Sequence, residues 1–398
     1  MRLSERARAV KPSATLATAA RARALKAEGK DVVLFGTGEP DFDTPAFIRQ
    51  AAKDALDAGA THYPPLVGLP SLREAICTRL KLDQELDYAA SEVIVGVGAK
   101  QVLYNACQAL LDPGDEAVII TPYWVSYPDM VTLAGATSVY VETTPESGFQ
   151  PTAEALEAAL NERTRVLFVN SPSNPSGVIL DRETLEAMAE VLRRYPEVTI
   201  LTDDIYNRIL YGDATFENIL QVAPDLRDRV VIINGVSKTY AMTGWRVGWA
   251  VGPEEIIKAI GKIQGQSTSG ATSFAQHGAL AALTGDQGVV AEMVGHFARR
   301  RDLLCDGLAA LPGVECAKPP GAFYAFPDLR ALIGKKAGGK LIDGSITLCD
   351  LLIEEQHLAC VPGAPFGAEG FLRMSFAASD EDIERGLKRL ADFLQTVE

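Results

Sequence analysis

At 398 residues, nearly half of them hydrophobic and with ordinary Gly and Pro counts, the chain has the length of two domains or one large one and reads as globular. Its formal net charge of −14 argues against nucleic acid and anionic membrane as partners, although a local cluster of Lys and Arg can still take a small anion. No apolar run approaches a membrane span, no signal peptide is readable at the N-terminus, the scattered cysteines form no Cys-x-x-Cys pair and the histidines show no metal spacing, so a cytoplasmic protein with reduced thiols and no metal is expected.

In chain order, the pattern predicts a helix over Leu16–Lys26, a loop punctuated by Gly and Pro at Phe35–Pro45, and a helix over Pro45–Ala58. A second loop, Tyr63–Pro70, leads into a helix that runs through Leu80 with Ser71 as its cap. Apolar, β-branched runs then recur at Val93–Val97, Ala117–Thr121, Ser138–Val141, Val166–Asn170, Val198–Thr202, Val230–Asn234 and Val247–Val251. Helical patterns such as Ala99–Leu111, Thr152–Leu160 and Arg182–Arg194 separate most of them. Continuous apolar runs alternating with helices indicate an α/β fold with a mostly parallel seven-stranded sheet covered on both faces. Past Ser273 come long helices (Phe274–Leu283, Gly288–Leu311), then short segments around Ala322–Phe326, Leu358–Val361 and Phe371–Ala377, and a capping-box signature at Ser379–Asp382. This reads as a smaller α+β domain. The division expected is an N-terminal segment 1–40 that folds with the small domain, a large domain 41–285 and a small C-terminal domain 286–398.

Ligands of open parallel sheets bind beyond the carboxyl ends of the strands, so the residues after each strand carry the argument. Gly98-Ala99-Lys100 opens a helix and offers amides to a phosphate. Gly96-x-Gly98-x-x-Gln101 half-matches a dinucleotide fingerprint but lacks its third small residue, and an ordinary strand–helix turn is the better reading. Trp124 is either a stacking platform for a planar ring or core. Asn174, in a loop between prolines, is a hydrogen-bond donor or a turn former. Asp203, at a buried strand end, needs a cation such as a protonated pyridine nitrogen, or else caps a helix, and Tyr206 stands close enough to meet a ring oxygen beside it. Lys238, just past a buried strand, is either an activated amine for a Schiff base or a strand-end charge that reaches water. Ser237 precedes it. Arg246 lies in an apolar stretch and calls for an anion. Arg373, in the strand-like run Phe371–Phe376, suits bidentate capture of a carboxylate, or forms a structural ion pair. Together these supply a nucleophile, a phosphate cradle, a ring-stacking aromatic, a pyridinium partner and a carboxylate clamp, and pyridoxal phosphate needs all five.

The segment Gly235-Val-Ser-Lys238-Thr-Tyr-Ala-Met-Thr-Gly-Trp-Arg246-Val-Gly248 resembles the lysine signature of the class I, fold type I pyridoxal-phosphate aminotransferases, the family that includes the aspartate aminotransferases. Val10–Thr15, Gly36–Pro45, Pro122–Tyr127, Asn170–Gly177 and Gln266–Ser269 resemble its bacterial subgroup Iβ, and the resemblance covers nearly the whole chain. It implies a transaminase that moves the amino group of L-aspartate or L-glutamate to a 2-oxo acid such as 2-oxoglutarate, in a ping-pong cycle through pyridoxamine phosphate. Prephenate or aromatic amino acid transamination, or a lyase reaction, are the alternatives on the same scaffold. A dinucleotide oxidoreductase would leave Lys238 without a role, and a regulatory protein would need a DNA-binding module for which the chain has no length. The resemblance also implies residue roles. Lys238 would hold the cofactor and move the proton. Asp203 would face the pyridine nitrogen, Tyr206 and Asn174 the ring oxygen, and Trp124 the ring face. Gly98, Ala99, Lys100, Ser237 and Arg246 would surround the phosphate, with Tyr63 supplied by the partner of a homodimer. Arg373 and the backbone at Gly38 would bind the α-carboxylate. Lys100, with partner Ser267–Ser269 and with Lys11 from a closing N-terminal segment, would take the distal group. Ala99 and Asp204 stand where relatives often have Gly and Glu.

Overall fold

Seven strands form the central sheet of the computed structural model, which describes residues 2–398: β1 (Val93–Gly96), β2 (Glu116–Ile120), β3 (Thr137–Val141), β4 (Thr164–Asn170), β5 (Thr199–Asp203), β6 (Val230–Gly235) and β7 (Gly248–Val251). Their order across the sheet is β1-β7-β6-β5-β4-β2-β3. Every pair from β6 to β3 is parallel, and β7 runs antiparallel to both of its neighbours. All seven apolar runs of the sequence are strands of this sheet. The pleat explains their continuity: Val93 and Val95 enter one core and Ile94 the other, as do Val230 and Ile232 against Val231 and Ile233. One face is covered by helices Ala46–Asp57, Pro70–Gln84, Arg182–Leu192 and Ser273–Thr284, and the other by Ala99–Leu110, Ser126–Ala134 and Glu254–Gly265. Each fully buried Val, Ile or Leu contributes roughly 1.5–3 kcal/mol, so the sheet interior dominates the stability of this part.

The β7 exception positions the site. Gly248 lies opposite Gly96 in one ladder and opposite Gly235 in the other. Because β7 runs backwards, its first residue stands at the carboxyl ends of β1 and β6. The stretch that begins at Gly235 leaves one of these ends and re-enters the sheet beside both.

A second core gathers around β8 (Tyr324–Ala325), β9 (Val361–Pro362) and β10 (Leu372–Ser375), an antiparallel sheet in the order β9-β10-β8. The N-terminal chain joins this core. Val33–Leu34 pairs in parallel with Leu358–Ala359, Ser375 N donates to Phe35 O (2.8 Å), and Arg21 pairs with Glu354 (2.8 Å). Helix Gly288–Ala309 bridges the two cores, with Val290 in the first and Phe297, Leu304 and Leu308 in the second.

One expected helix cap differs. The helix expected to be capped by Ser71 starts at Pro70 with Leu69 as N-cap, because proline's fixed φ and missing N–H suit the first helical position. Ser379 does cap the last helix, accepting from Asp382 N (3.1 Å), but the return half of the box is not made. Asp382 instead takes Arg385 (2.9 Å), one turn on.

Candidate active site

The residues after five strand ends meet in one cleft, closed on its other side by β10 and by the loop that contains Gly36 and Gly38. That loop is fastened to the lysine stretch: Thr44 Oγ1 donates to Ala241 O (2.6 Å) and accepts from Trp245 Nε1 (3.0 Å), and Thr243 Oγ1 donates to Glu39 (2.6 Å). Asp41 pairs with the buried Arg300 (2.8 Å), which ties the same loop to helix Gly288–Ala309.

Lys238 follows β6 and its amine turns inward, donating to Gly38 O at 2.5 Å. Its side chain is half-buried. Loss of water lowers the amine from its ordinary value to about 8, opposed by Glu39 and Asp203 and helped by Arg246 and Arg373. The amine is thus aimed at a carbonyl of the facing loop.

Asp203 ends β5 and is 5% exposed. Oδ2 accepts from Tyr127 Oη (2.7 Å), while Oδ1 is buried without a partner. Burial raises its carboxyl to about 6, against the pull of Tyr127, the Ile205 amide and the charge of Lys238. It caps no helix. An unpartnered carboxylate oxygen in this position calls for a proton or a cation. Asp204, its neighbour, is raised to about 7 by burial and is held by Asn218 (2.8 Å).

Asn170, at the end of β4, links the strand ends. Its Nδ2 donates to Asp203 O (2.8 Å) and its Oδ1 accepts from Asn174 N (2.8 Å). Asn174 Oδ1 in turn accepts from Arg373 Nη1 (3.0 Å), which leaves the Asn174 amide as a donor for a ligand. Arg373, on β10 and 1% exposed, sends Nη2 to Gly36 O (3.1 Å), and its Nε is buried without a partner. Its guanidinium lies over the rings of Tyr324 (4.5 Å) and Phe366 (5.2 Å). No carboxylate among the described residues pairs with it, so the structural ion pair is ruled out in favour of an open cation.

The turn after β1 forms the third part. Gly98 has φ +84° and precedes helix Ala99–Leu110, whose first amides, at Ala99 and Lys100, have no helical partner of their own. A Cβ on Gly98 would stand 2.5 Å from Arg246 Nη2, so the guanidinium lies directly on this turn. The expectation that Arg246 sits in an apolar interior is corrected. It is exposed, at φ 55°, in the turn that feeds β7, and it reaches Gly98 over the surface of the cleft. Ser237 is buried beside Lys238. A Cβ on Gly248 would stand 2.2 Å from Ala99 N and 2.6 Å from Gly98 C, backbone atoms that have nowhere to go. Gly248→Ala is expected to push the turn out of place and to cost about 1–3 kcal/mol, read as a lower urea midpoint; an unchanged midpoint would show that β7 does not hold the turn.

Trp124 is half-buried and meets Tyr127 edge-on (5.4 Å, 85°), and Lys100 Nζ lies 4.7 Å over its ring. Tyr206 is buried with its hydroxyl 2.8 Å from that of Tyr324. Tyr63 is 96% exposed and takes no part in this chain's own cleft. Ser267–Ser269 are also exposed, and a Cβ on the adjoining Gly270 would be 3.3 Å from Pro64, so they border the Tyr63 loop. Lys11 is exposed, its backbone N donating to Asp129 (3.4 Å) on helix Ser126–Ala134. Gly38 gives its carbonyl to Lys238, and Gly36 supplies the carbonyl that meets Arg373. Sequence reasoning gave no role to Tyr127, Asn170 or Tyr324. The first two stand in quoted motifs, but their partners are distant in the chain.

The chain as a whole is similar to known proteins. A model of the family described as aminotransferase class I and II matches residues 30–390. The aspartate/prephenate aminotransferase of Nitrosomonas europaea is 45% identical over 99% of this chain and 100% of its own length. The crystal structure of the aspartate aminotransferase from Rhizobium meliloti superposes with a TM-score of 0.97 at 43% identity, covering 100% of both chains. That of the Thermus thermophilus aspartate aminotransferase with maleate gives 0.92 at 41%, covering 99% of this chain and 100% of the other. A family match over most of the length, together with relatives of this identity over whole chains, assigns the cleft its lineage: the chain belongs to the class I and II aminotransferases.

Proposed function

We propose that the chain transfers the amino group of L-aspartate or L-glutamate to a 2-oxo acid such as 2-oxoglutarate, using pyridoxal phosphate held at Lys238. The observation that carries this is the unpartnered Asp203 Oδ1, buried in the same cleft as the lysine and an open, carboxylate-free arginine. The residues present fit the cofactor. The orphaned carboxylate oxygen matches a protonated ring nitrogen, the Gly98–Lys100 turn under Arg246 matches a phosphate, and Trp124 offers a flat face.

Bound there, pyridoxal phosphate supplies a carbon for amine exchange and an electron sink for the charge left when the substrate loses its α-proton. The chain does the rest. Lys238 holds the cofactor covalently. Freed from that bond, its amine would take the α-proton and deliver it to the cofactor carbon that keeps the amino group, a role open to it because burial brings it to about 8. Asp203 keeps the facing ring nitrogen protonated, and a cation there reverses the burial penalty on its carboxyl. Tyr206 and the Asn174 amide donate to the ring oxygen. Gly98, Ala99, Lys100, Ser237 and Arg246 hold the phosphate. Arg373 binds the α-carboxylate as a fork, with help from the backbone at Gly38, and so sets which bond of the substrate faces the lysine. Lys100 takes the distal carboxylate, with Lys11 closing over it.

The exposed Tyr63 loop and the neighbouring Ser267–Ser269 support a homodimer in which each copy completes the other's site. Two functional bodies, 41–285 and 286–398 with 1–40, and a cytoplasmic location belong to the same reading; no helix of the described residues is long and apolar enough to cross a membrane.

The test is a set of half-reactions. Holoenzyme mixed with one amino acid at a time, without an acceptor, is followed by the change in cofactor absorbance. Aspartate and glutamate are expected to convert it at least about tenfold faster than alanine, phenylalanine or tyrosine, the scale set by one extra charged contact. Faster conversion by alanine or tyrosine would overturn the substrate assignment. Since one relative is named for prephenate as well, aspartate-loaded enzyme should also be offered prephenate as acceptor.

A further inference from the structure

Tyr324 connects three parts of the cleft. It stands on β8 opposite Ser375 of β10, the strand that carries Arg373. Its hydroxyl is 2.8 Å from that of Tyr206, and the two rings meet edge to face at 5.7 Å and 80°. The Arg373 guanidinium lies 4.5 Å over its ring. The same hydroxyl lies 3.5 Å from where a Cβ on Gly38 would stand, and Gly38 O is the acceptor for Lys238. Both tyrosines are buried, at 1% and 3% exposure.

Each hydroxyl carries one proton and accepts through its lone pairs. If Tyr206 donates to Tyr324, its proton is no longer available to a ligand. If Tyr324 donates to Tyr206, the proton of Tyr206 remains free for one. Burial raises both phenols, Tyr206 well above the ordinary value, and the charge of Arg373 opposes this most directly at Tyr324, over whose ring it lies. The more acidic phenol is the better donor, which selects the second arrangement.

We infer that Tyr324 is a positioning residue: it donates to Tyr206 and thereby commits the proton of Tyr206 to the ring oxygen of the bound cofactor. This rests on the proposed pyridoxal-phosphate function. It deepens it by making the residue under the carboxylate-binding arginine also set the donor at the cofactor ring.

The experiment is a double-mutant cycle on holoenzyme, with wild type, Tyr206→Phe, Tyr324→Phe and the double variant. The readout is the pH midpoint of the absorbance change of the Lys238-bound cofactor, where the charges of Asp203, Glu39, Arg246 and Arg373 also act and are left unchanged in all four proteins. A donor at the ring oxygen stabilises the deprotonated form, so its loss raises the midpoint. Tyr206→Phe is expected to raise it by about one pH unit and Tyr324→Phe by about half a unit, in keeping with one hydrogen bond lost and one loosened. The double variant is expected to match Tyr206→Phe alone. If Tyr324→Phe leaves the midpoint unmoved while Tyr206→Phe shifts it, or if its shift persists in full on the Tyr206→Phe background, the positioning role is wrong and the parent function stands. If Tyr206→Phe itself moves nothing, or if wild type takes up no pyridoxal phosphate, the ring-oxygen assignment fails and this inference with it. Tyr324→Phe removes a single buried oxygen, and an unfolding midpoint close to that of wild type confirms that the comparison is between folded proteins.

Discussion

Lys238→Ala is expected to lower turnover by about 10²–10⁴-fold, the scale on which a positioned proton-transfer group contributes, with further loss because the covalent hold on the cofactor goes too. The reason is local. Loss of water brings the amine to about 8, within reach of neutral solution, while its hydrogen bond to Gly38 O keeps it aimed. The sign is fixed by that direction: a lowered amine is neutral above about pH 8 and protonated below, so covalent uptake of cofactor by the apo-protein should speed up as pH rises through about 8. An amine at its ordinary value of 10.5 would need far more alkaline solution. Methyl-amine rescue of Lys238→Ala would separate lost chemistry from a lost fold: rescue is expected, because Asp203, Asn174 and Arg373 are held by one another and by Asn170 and Tyr127 rather than by the lysine.

Arg373→Ala is expected to lower kcat/KM for aspartate by roughly 10²–10³-fold, within the range for removing one partner of a buried, charge-assisted contact. In the proposed reaction the substrate's α-carboxylate is the missing partner. The guanidinium is almost wholly buried, touches only the neutral oxygens of Asn174 and Gly36, and has an unpartnered Nε. Burial lowers its pKa from the ordinary arginine value, yet a guanidinium stays charged, so the folded chain keeps an uncompensated cation ready for an anion. Arg373→Lys preserves the charge but not the planar fork and should recover only part of the loss. Steady-state kinetics with aspartate, beside a titration with an unreactive dicarboxylate, check this. Variants within about threefold of wild type would show that the α-carboxylate binds elsewhere.

The sheet was legible because its strands are buried on both faces and so appear as unbroken apolar runs. Lys238, Asp203, Asn174 and Arg373 were legible for the complementary reason: a charge or amide at the edge of such a run is conspicuous. Strand direction was not legible. Val247–Val251 is an apolar run like those of the parallel strands, and only the fold reveals that it runs backwards and brings Gly248 against Ala99. Arg246 was misread on the same ground. Flanked by Trp245 and Val247 it looks interior, but a left-handed turn at that residue throws its side chain outward over Gly98. Tyr127 and Tyr324 were hidden among core aromatics. A buried tyrosine looks like a phenylalanine in sequence until its hydroxyl finds a partner, and theirs, Asp203 and Tyr206, are far along the chain.

The proposed function makes Lys238 the residue to which the cofactor is joined. Borohydride reduction of the holoenzyme fixes that bond irreversibly, and peptide mapping by mass spectrometry then locates it. A single pyridoxyl group on the peptide containing Lys238 is the predicted result. No pyridoxyl group, or one on any other lysine, would contradict the account.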